Sequence, residues 1–318
     1  MLEGTAPGQP VLCLAGPTAS GKTAVAVALA RRVSLEVLSA DSRQVYRGLD
    51  IGAAKPTAEE RAAVAHHLLD LADPDDVMSA GRFAREAWAV EDAVRQRHRV
   101  PLYVGGAGLY VRAVSGGLAA DLPHDAAVRA ALTGEAERDG LDALHAKLAR
   151  HDPVTAARLA PRDRVRIVRA LEIWHLTGEP ASVLRRRAQE AQPPRALCIV
   201  YLERSLPDLE YRIRQRATAM LSRGLRAECD AILTRWPSAR GLLEKTVGYA
   251  ELLDPALAAA SESTLLAAIV RATRQYARRQ RIWFQAQDGV TRLPIEPGES
   301  AESVAARVHA LVLPLLPP

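Results

Sequence analysis

The sequence has few aromatic residues, few cysteines and few lysines, and it contains no long hydrophobic run. Its three cysteines, Cys13, Cys198 and Cys229, are scattered and form no C-x-x-C pair, which favours buried thiols over a disulfide or a zinc site. No apolar run reaches the roughly 18 to 20 residues that a bilayer-spanning helix needs. The N-terminal segment has neither the basic nor the apolar stretch of a secretory signal. These absences predict a cytoplasmic protein without a membrane partner.

The overall composition is that of a globular protein. Of the 318 residues, 48% are hydrophobic and 25% are charged, which indicates one to three domains with a buried core and excludes a disordered chain. Only four of the 42 basic residues are lysines, namely Lys22, Lys55, Lys147 and Lys245. The other 38 are arginines, and so many arginines will cluster by accident. Arginine density alone is therefore no evidence of a binding site.

Four short apolar runs predict the strands of a parallel sheet, because each ends at a glycine or a polar residue and helical segments separate them. The runs are Val11 to Ala15, Leu35 to Ala40, Pro101 to Val104 and Ala196 to Leu202. Between the third and the fourth run we find only helical periodicity and turn signals. After the fourth run we expect helices to the end of the chain, among them a long one over Glu262 to Gln287.

This order of elements predicts an α/β fold with three segments. Residues 1–121 form the first part of a parallel-sheet core, residues 122–194 a helical insertion, and residues 195–318 the completion of the core with a helical C-terminal region. The insertion leaves the sheet after the third strand. We therefore expect it over the carboxyl ends of the strands, where open α/β sheets bind their ligands.

Residues 16–23, GPTASGKT, match the phosphate-binding pattern G-x-x-x-x-G-K-[ST] and stand between a predicted strand and a predicted helix. Backbone N–H groups of such a loop surround a phosphate, Lys22 reaches the outer phosphate, and the Thr23 hydroxyl is placed for Mg²⁺. The core is thus predicted to be P-loop NTPase-like, with a diphosphate or polyphosphate ligand that need not be ATP. The predicted diphosphate- or nucleotide-binding residues of this loop are Gly16, Pro17, Thr18, Ala19, Ser20, Gly21, Lys22 and Thr23.

Asp41 follows the second predicted strand and would lie near the phosphate loop across the sheet. It has three interpretations. As a metal-holding carboxylate it would serve phosphoryl transfer; as a general base it would face a nucleophile beside the leaving phosphate; as a helix cap it would be structural only.

Several segments together resemble the tRNA dimethylallyltransferase family, also called tRNA isopentenyltransferases. The resemblance runs in the family's order from about Val11 to Phe284. It is carried by GPTASGKT, ADSRQVYRGLDIGAAKPT, HHLLDLADPDD, PLYVGGAGLYVRA, RVRIVRALEIWHLTG, YRIRQRATAML, KTVGYAEL and TRQYARRQRIWF.

The resemblance implies that the dimethylallyl group of dimethylallyl diphosphate moves to N6 of the adenosine on the 3′ side of the tRNA anticodon, with release of diphosphate. It also implies Mg²⁺ as cofactor, the tRNA anticodon stem-loop as partner, and a helical insertion that swings over the RNA. We expect a monomer. The flipped adenosine must leave its stack, which costs least in a loop.

Family positions also imply the roles of individual residues. Asp41 is the base that takes the N6 proton, Lys22 stabilises the leaving diphosphate, and Arg216 lies near the diphosphate. Arg271, Arg274 and Arg278 share one helix face that suits an RNA backbone or, alternatively, is a solvated basic face. The implied tRNA-binding residues are Asp41, Ser42, Arg43, Gln44, Ala107, Arg129, Val165, Arg166, Arg169, Arg271, Arg274 and Arg278.

The sequence departs from the family pattern at two positions. Ala107 stands where G-G-T-G-L-Y has a threonine whose hydroxyl assists at the reacting centre, and Val165 stands where Q-R-x-x-R-A has a glutamine. No role follows from the sequence for Lys245 or Tyr249. Two other functions remain open: a P-loop kinase that uses the insertion arginines as a lid, and an RNA-binding protein without turnover.

Overall fold

The computed structural model describes residues 10–116, 122–191 and 195–316 of the chain. These residues divide into two compact units. One unit comprises Met1–Ser115 together with Arg195–Pro318, and the other comprises Gly116–Pro194.

A six-stranded parallel sheet forms the centre of the first unit, with the strand order β3-β2-β4-β1-β5-β6. The strands are β1 (Val11–Ala15), β2 (Leu35–Ala40), β3 (His66–His67), β4 (Val100–Gly105), β5 (Leu197–Arg204) and β6 (Val290–Ile295). Because all strands are parallel, their carboxyl ends meet at one edge of the sheet. Residues 16–23, which match the phosphate-binding pattern and which we call the phosphate loop, follow β1 at this edge, and Asp41, Gly106 and Ser205 each follow another strand there.

The parallel α/β sheet predicted from the sequence is confirmed, but the expectation of helices alone after Leu202 is wrong. Strand β6 pairs only with β5 and therefore lies at an edge of the sheet. Its sequence, VTRLPI, buries only two of its six side chains and contains Pro294, which edge strands tolerate. Strand β3 has only two residues and was also missed. Both strands lack the continuous apolar run by which buried parallel strands are identified.

The described residues of this first unit contain eleven α-helices. They are α1 (Lys22–Ala30), α2 (Ala58–Ala63), α3 (Ala80–Gln96), α4 (Gly108–Val114), α10 (Leu206–Ser222), α11 (Leu225–Arg235), α12 (Arg240–Leu243), α13 (Tyr249–Leu253), α14 (Pro255–Ala258), α15 (Glu262–Gln285) and α16 (Ala301–Val312). Helices α1 and α16 pack on one face of the sheet and close its apolar core around Leu14, Leu29, Val200 and Val308. Cys13 and Cys229 are buried free thiols, as predicted, and Cys198 is a partly buried one.

The second unit is helical throughout its described residues, which agrees with the helical insertion expected there. Its helices are α5 (Ala126–Asp139), α6 (Leu141–His151), α7 (Pro153–Arg158), α8 (Arg164–Thr177) and α9 (Ala181–Ala191). Leu144, Leu148, Ile167 and Leu171 form the centre of its own apolar core. In the described part of the whole chain, no helix is both long and apolar enough to cross a membrane.

Candidate active site

The phosphate loop connects β1 to α1 at the carboxyl edge of the sheet. Ala19 and Gly21 have φ angles of 65° and 95°, so the backbone passes twice through the left-handed region as it turns into the helix. At Gly16, a Cβ atom would lie 2.7 Å from the Ser20 hydroxyl oxygen and 3.2 Å from the Leu202 carbonyl oxygen. The glycine is therefore required for close packing of the loop on β5.

Three arginines from β5 and α10 donate hydrogen bonds to this loop. Arg204 donates from Nε to the Ser20 carbonyl (2.8 Å), and Arg212 donates from Nε to the Ala19 carbonyl (3.0 Å). Arg216 donates from Nη1 to the Thr18 hydroxyl (3.0 Å), so it lies at the loop; its proximity to a bound diphosphate stays a prediction. Sequence reasoning missed Arg204 and Arg212. The spacing of Arg212 four residues before Arg216 was a signal, since it places both on one face of α10.

Lys22 begins α1 and donates from Nζ to the carbonyl oxygens of Gly16 (3.0 Å) and Pro17 (2.9 Å). Burial lowers the pKa of Lys22 to about 8; the nearby Asp41 carboxylate opposes this shift and the Arg216 guanidinium adds to it. The lysine is therefore protonated below about pH 8 and increasingly neutral above it.

This low pKa predicts a pH dependence for the use of a phosphorylated substrate. The ammonium form of Lys22 is lost as the pH rises through about 8, so kcat/KM for that substrate should fall on the alkaline side. In a Lys22→Arg variant the falling limb should disappear, because an arginine stays charged in this range. Initial rates measured across the pH range check this, and an identical alkaline limb in the variant would contradict the assignment.

Asp41 directly follows β2. Its Oδ1 accepts hydrogen bonds from the backbone N–H groups of Arg43 (2.8 Å) and Gln44 (3.4 Å), so this oxygen stabilises the turn. Residues 42–45 form a turn and not a helix, so the helix-cap interpretation is wrong in detail although one carboxylate oxygen does have a structural role. Asp41 also lines the cavity beside the phosphate loop.

Residues 50–55, which follow the turn after Asp41, are held in place by Glu228 and by the contacts of Lys55. Glu228 of α11 accepts hydrogen bonds from the N–H groups of residues 50, 51 and 52, at 3.0, 2.7 and 3.0 Å, and from the Tyr249 hydroxyl at 2.6 Å. A Cβ atom on Gly52 would lie 2.3 Å from the Tyr249 ring. Buried Lys55 donates to the Tyr46 carbonyl at 2.8 Å and pairs with Asp50 and Asp70. Tyr249 and Lys55 thus have structural roles.

Removal of the Glu228 carboxylate should loosen this segment. A Glu228→Ala variant leaves three loop N–H groups and the Tyr249 hydroxyl without their acceptor, and we expect the free energy of unfolding to fall by about 1–3 kcal/mol. Denaturant titration measures this loss. Asp230→Ala on the exposed side of the same helix is the control, and equal effects of the two changes would refute the role of Glu228.

Two cavities meet at Asp41. The first, of about 500 Å³, lies along the phosphate loop, and we call it the donor cavity; Lys22, Thr23, Gln44, Arg212 and Gln280 are among its lining residues. The second, of about 290 Å³, extends between α10, α15 and residues 245–248, and we call it the acceptor cavity. Both cavities are lined by Thr18, Asp41, Ala53 and Arg216.

The acceptor cavity combines apolar walls with a polar rim. Ile213, Met220, Val247 and Ile269 supply apolar surface. Tyr276 lies close to Asp41; burial and this carboxylate raise the pKa of its phenol to about 12, which keeps the hydroxyl protonated. Ser42, Arg43, Lys245, Thr246, Thr273 and Arg279 contribute the polar lining.

Ala107 lies one strand away from Asp41. Its N–H donates to the Ala40 carbonyl (3.1 Å), and it precedes α4 without capping the helix by a side chain. The position at which the family carries a threonine is thus next to the strand end that holds Asp41.

Helix α15 presents two different faces. Arg271, Arg274, Arg278 and Arg281 line a separate groove of about 610 Å³ beside α10, where Arg274 pairs with Glu210 (2.9 Å). The arginine stripe predicted from the sequence is therefore on one face, as expected. The face toward the acceptor cavity carries Thr273, Tyr276 and Arg279, and sequence reasoning did not assign these residues to the site.

In the second unit, the arginines that are predicted to bind tRNA differ in their surroundings. Arg129 and Arg169 both pair with the buried carboxylate of Glu172, at 3.0 and 2.8 Å. Burial raises the pKa of Glu172, but the hydrogen bonds from these arginines outweigh burial and hold it below its usual value. Arg166 and Val165 are exposed, and Arg166 lies 3.4 Å from Asp163. A contact of these residues with RNA stays a prediction.

Comparison with known proteins identifies relatives over almost the whole chain. The family model described as IPP transferase matches residues 44–287. The chain is 44% identical over 308 residues to a tRNA dimethylallyltransferase of Bordetella petrii, which covers 95% of this chain and 98% of that protein. It is 46% identical over 300 residues to a tRNA dimethylallyltransferase of Anaeromyxobacter dehalogenans, with coverage of 94% and 99%.

Solved structures agree with this result. The crystal structure of a tRNA isopentenylpyrophosphate transferase from Bacillus halodurans has a TM-score of 0.67 and 33% identity, and the match covers 96% of this chain and 98% of that one. A eukaryotic dimethylallyltransferase acting on tRNA has a TM-score of 0.72, with coverage of 90% and 74%. Because its sequence identity is only 24%, it supports the fold alone.

Proposed function

The chain belongs to the IPP transferase family and is a tRNA-modifying prenyltransferase, and we propose that it transfers the dimethylallyl group of dimethylallyl diphosphate to N6 of the adenosine 3′-adjacent to the tRNA anticodon. One observation supports this assignment most strongly: a phosphate-loop cavity and a second, partly apolar cavity meet at the Asp41 carboxylate. A donor and an acceptor that enter these cavities would meet beside a base.

The donor cavity suits an allylic diphosphate. As the bond between the allylic carbon and the diphosphate oxygen breaks, negative charge grows on the leaving group, and fixed cationic donors stabilise that charge. Lys22 and Arg216 line this cavity and supply two such charges, in addition to the N–H groups of the loop. The diphosphate then remains at the loop while the allylic carbon faces Asp41.

The oxygen donors at this loop fit the expected Mg²⁺. The Thr23 hydroxyl lines the donor cavity, and hard cations prefer oxygen ligands. Among the described residues there is no cluster of three or more His, Cys, Asp or Glu side chains, so the ion would take most of its ligands from the diphosphate and water. When bound there, it would neutralise part of the charge on the leaving group.

The acceptor cavity suits a purine base that has left its stack. Its apolar walls can contact the faces of the ring, and Asp41 lies where the cavity joins the donor site. In the transfer, N6 attacks the allylic carbon, a C–N bond forms as the C–O bond breaks, and the N6 proton passes to Asp41. Since Oδ1 already accepts two backbone hydrogen bonds, Oδ2 is the oxygen for this proton.

Besides Arg216, three cationic side chains line the acceptor cavity, those of Arg43, Lys245 and Arg279, and they suit the phosphates that flank the adenosine. Arg43 is held by its hydrogen bond to the Lys245 carbonyl (3.0 Å). The tRNA acceptor would place this activity in the cytoplasm.

Loss of one of these cations should weaken RNA binding without affecting the donor. For Arg279→Ala we expect KM for tRNA to rise about 10- to 150-fold, because a charged hydrogen bond contributes about 1.5–3 kcal/mol, while KM for dimethylallyl diphosphate stays the same. The salt dependence of tRNA affinity should also become shallower by about one unit of log–log slope. Arg31→Ala, at the opposite end of α1, is the control; a change in donor KM alone would count against this role of Arg279.

Incubation of the protein with unmodified tRNA and radiolabelled dimethylallyl diphosphate tests the proposed function. We expect label in the RNA and release of diphosphate. ATP consumption with a small acceptor, without label in RNA, would favour the kinase interpretation. RNA binding without either reaction would favour a binding protein, and both results would refute the transferase.

A further inference from the structure

Gln280 connects the two loops on which the proposed reaction depends. It lies on α15 and is only 6% exposed. Its Oε1 accepts a hydrogen bond from the Thr18 N–H in the phosphate loop (2.9 Å), and its Nε2 donates to the Gly106 carbonyl after β4 (3.1 Å). One buried carboxamide thus bonds to both loops.

The orientation of this carboxamide is fixed by its two partners. A backbone N–H can only donate and a carbonyl can only accept, so each end of the Gln280 amide fits one loop and not the other. The contact is also close: a Cβ atom on Gly106 would lie 2.1 Å from the Gln280 Nε2. Glycine at position 106 is therefore what allows Gln280 to reach this loop.

Further hydrogen bonds link the Gly106 loop to the backbone next to Asp41. Gly106 precedes Ala107, whose N–H donates to the Ala40 carbonyl (3.1 Å), and Ala40 is the residue before Asp41. On the other side, Thr18 accepts the Arg216 hydrogen bond through its hydroxyl (3.0 Å). The path from the phosphate loop through Gln280 to Asp41 therefore consists of three hydrogen bonds and two backbone connections between adjacent residues.

We propose that Gln280 is a positioning residue for the transfer reaction: its carboxamide holds the phosphate loop and the end of β4 at the separation at which the allylic carbon meets N6 beside Asp41. This inference rests on the proposed function. A displacement of about 1 Å between reacting groups can cost about a hundredfold in rate. Gln280 lines the donor cavity but not the acceptor cavity, so its loss should lower kcat and leave tRNA affinity nearly unchanged.

A Gln280→Glu variant tests the inference directly. The glutamate keeps an acceptor for the Thr18 N–H, but its second oxygen faces the Gly106 carbonyl without a proton to donate. Burial raises the pKa of a carboxyl group, so this proton returns as the pH falls. We expect kcat to be 10- to 100-fold below wild type at about pH 8, and the ratio of variant to wild type to rise several-fold by about pH 5.5.

Two further variants control the test. Gln280→Met keeps the length of the side chain without hydrogen bonds and should show the same loss of kcat with no recovery at low pH. Gln285→Ala, at the exposed C-terminal end of α15, should be indistinguishable from wild type. Wild-type kcat in Gln280→Met, or a pH-independent ratio in Gln280→Glu, would overturn the inference. A wild-type protein that transfers no label would instead refute the proposed function, so the two failures are distinguishable.

Discussion

Replacement of Asp41 by asparagine should reduce kcat for dimethylallyl transfer by about 10²–10⁴-fold, the range that general bases contribute. Asparagine retains an oxygen that can accept the hydrogen bonds from the N–H groups of Arg43 and Gln44, so the turn after β2 should persist. What it loses is the ability to take the N6 proton. The defect should therefore appear in kcat and not in KM for tRNA.

Single-turnover rates and tRNA binding of Asp41→Asn, measured in parallel, check this expectation. Ser42→Ala is the matched control, because Ser42 is adjacent and lines the acceptor cavity but has no proton-accepting role in the proposal. Asp41→Ala should lose transfer as well, with an additional loss of the turn. A variant with asparagine at this position that keeps most of its rate would refute the base assignment.

Replacement of Lys22 by alanine should lower kcat/KM for dimethylallyl diphosphate by about 10²–10³-fold, the usual cost of losing one preorganised donor to a developing negative charge. Lys22 lines the donor cavity together with Arg216 and donates to two carbonyl oxygens of the loop. Its removal leaves the growing charge on the diphosphate with less compensation. The affinity for tRNA should not change, because no cationic residue of the acceptor cavity is altered.

Lys147→Ala is the matched lysine control. Lys147 pairs with Glu135 (2.8 Å) within the second unit, and its loss should leave both substrate constants unchanged. Equal donor kinetics in Lys22→Ala and wild type at low donor concentration would contradict the role of Lys22. A parallel loss of tRNA affinity would indicate a general disruption of the loop.

The parts of the site that could be predicted are those in which a local pattern has one structural meaning. GPTASGKT determines a loop between a strand and a helix, and LEVLSA determines that Asp41 follows a buried strand at the same edge of the sheet. These two patterns were sufficient to expect Lys22 and Asp41 near one another. Their proximity is reflected in the pKa of Lys22, which the Asp41 carboxylate influences.

The parts that could not be predicted depend on contacts between segments distant in the chain. Arg204 and Arg212 bond to the phosphate loop from more than 180 residues away, as the separations of 184 and 193 residues show. Gln280 bonds to Thr18 across 262 residues. Among 38 arginines and several exposed glutamines, no local pattern distinguishes these side chains from solvated ones.

The four lysines illustrate the same limit of prediction from local sequence patterns. Lys22 lies at the loop between β1 and α1, and its contact with a diphosphate stays a prediction, whereas Lys55 lies in a family-like segment for a structural reason: it is buried and pairs with Asp50 and Asp70. Tyr249 had no predicted role, and its hydroxyl bonds to Glu228 beside Gly52. Family-like segments therefore contain some residues with a proposed chemical role and others with a structural role. The two kinds are distinguished by their contacts in the structure.

The central claim is that a diphosphate donor and an adenosine meet at Asp41, and nucleoside analysis of the reacted tRNA tests it most directly. After reaction with dimethylallyl diphosphate, the tRNA is digested completely and each nucleoside is identified by mass. We predict N6-dimethylallyladenosine from the position 3′ to the anticodon with wild-type protein, and almost none with Asp41→Asn. A dimethylallyl group on another nucleoside, or a wild-type yield from Asp41→Asn, would contradict the account.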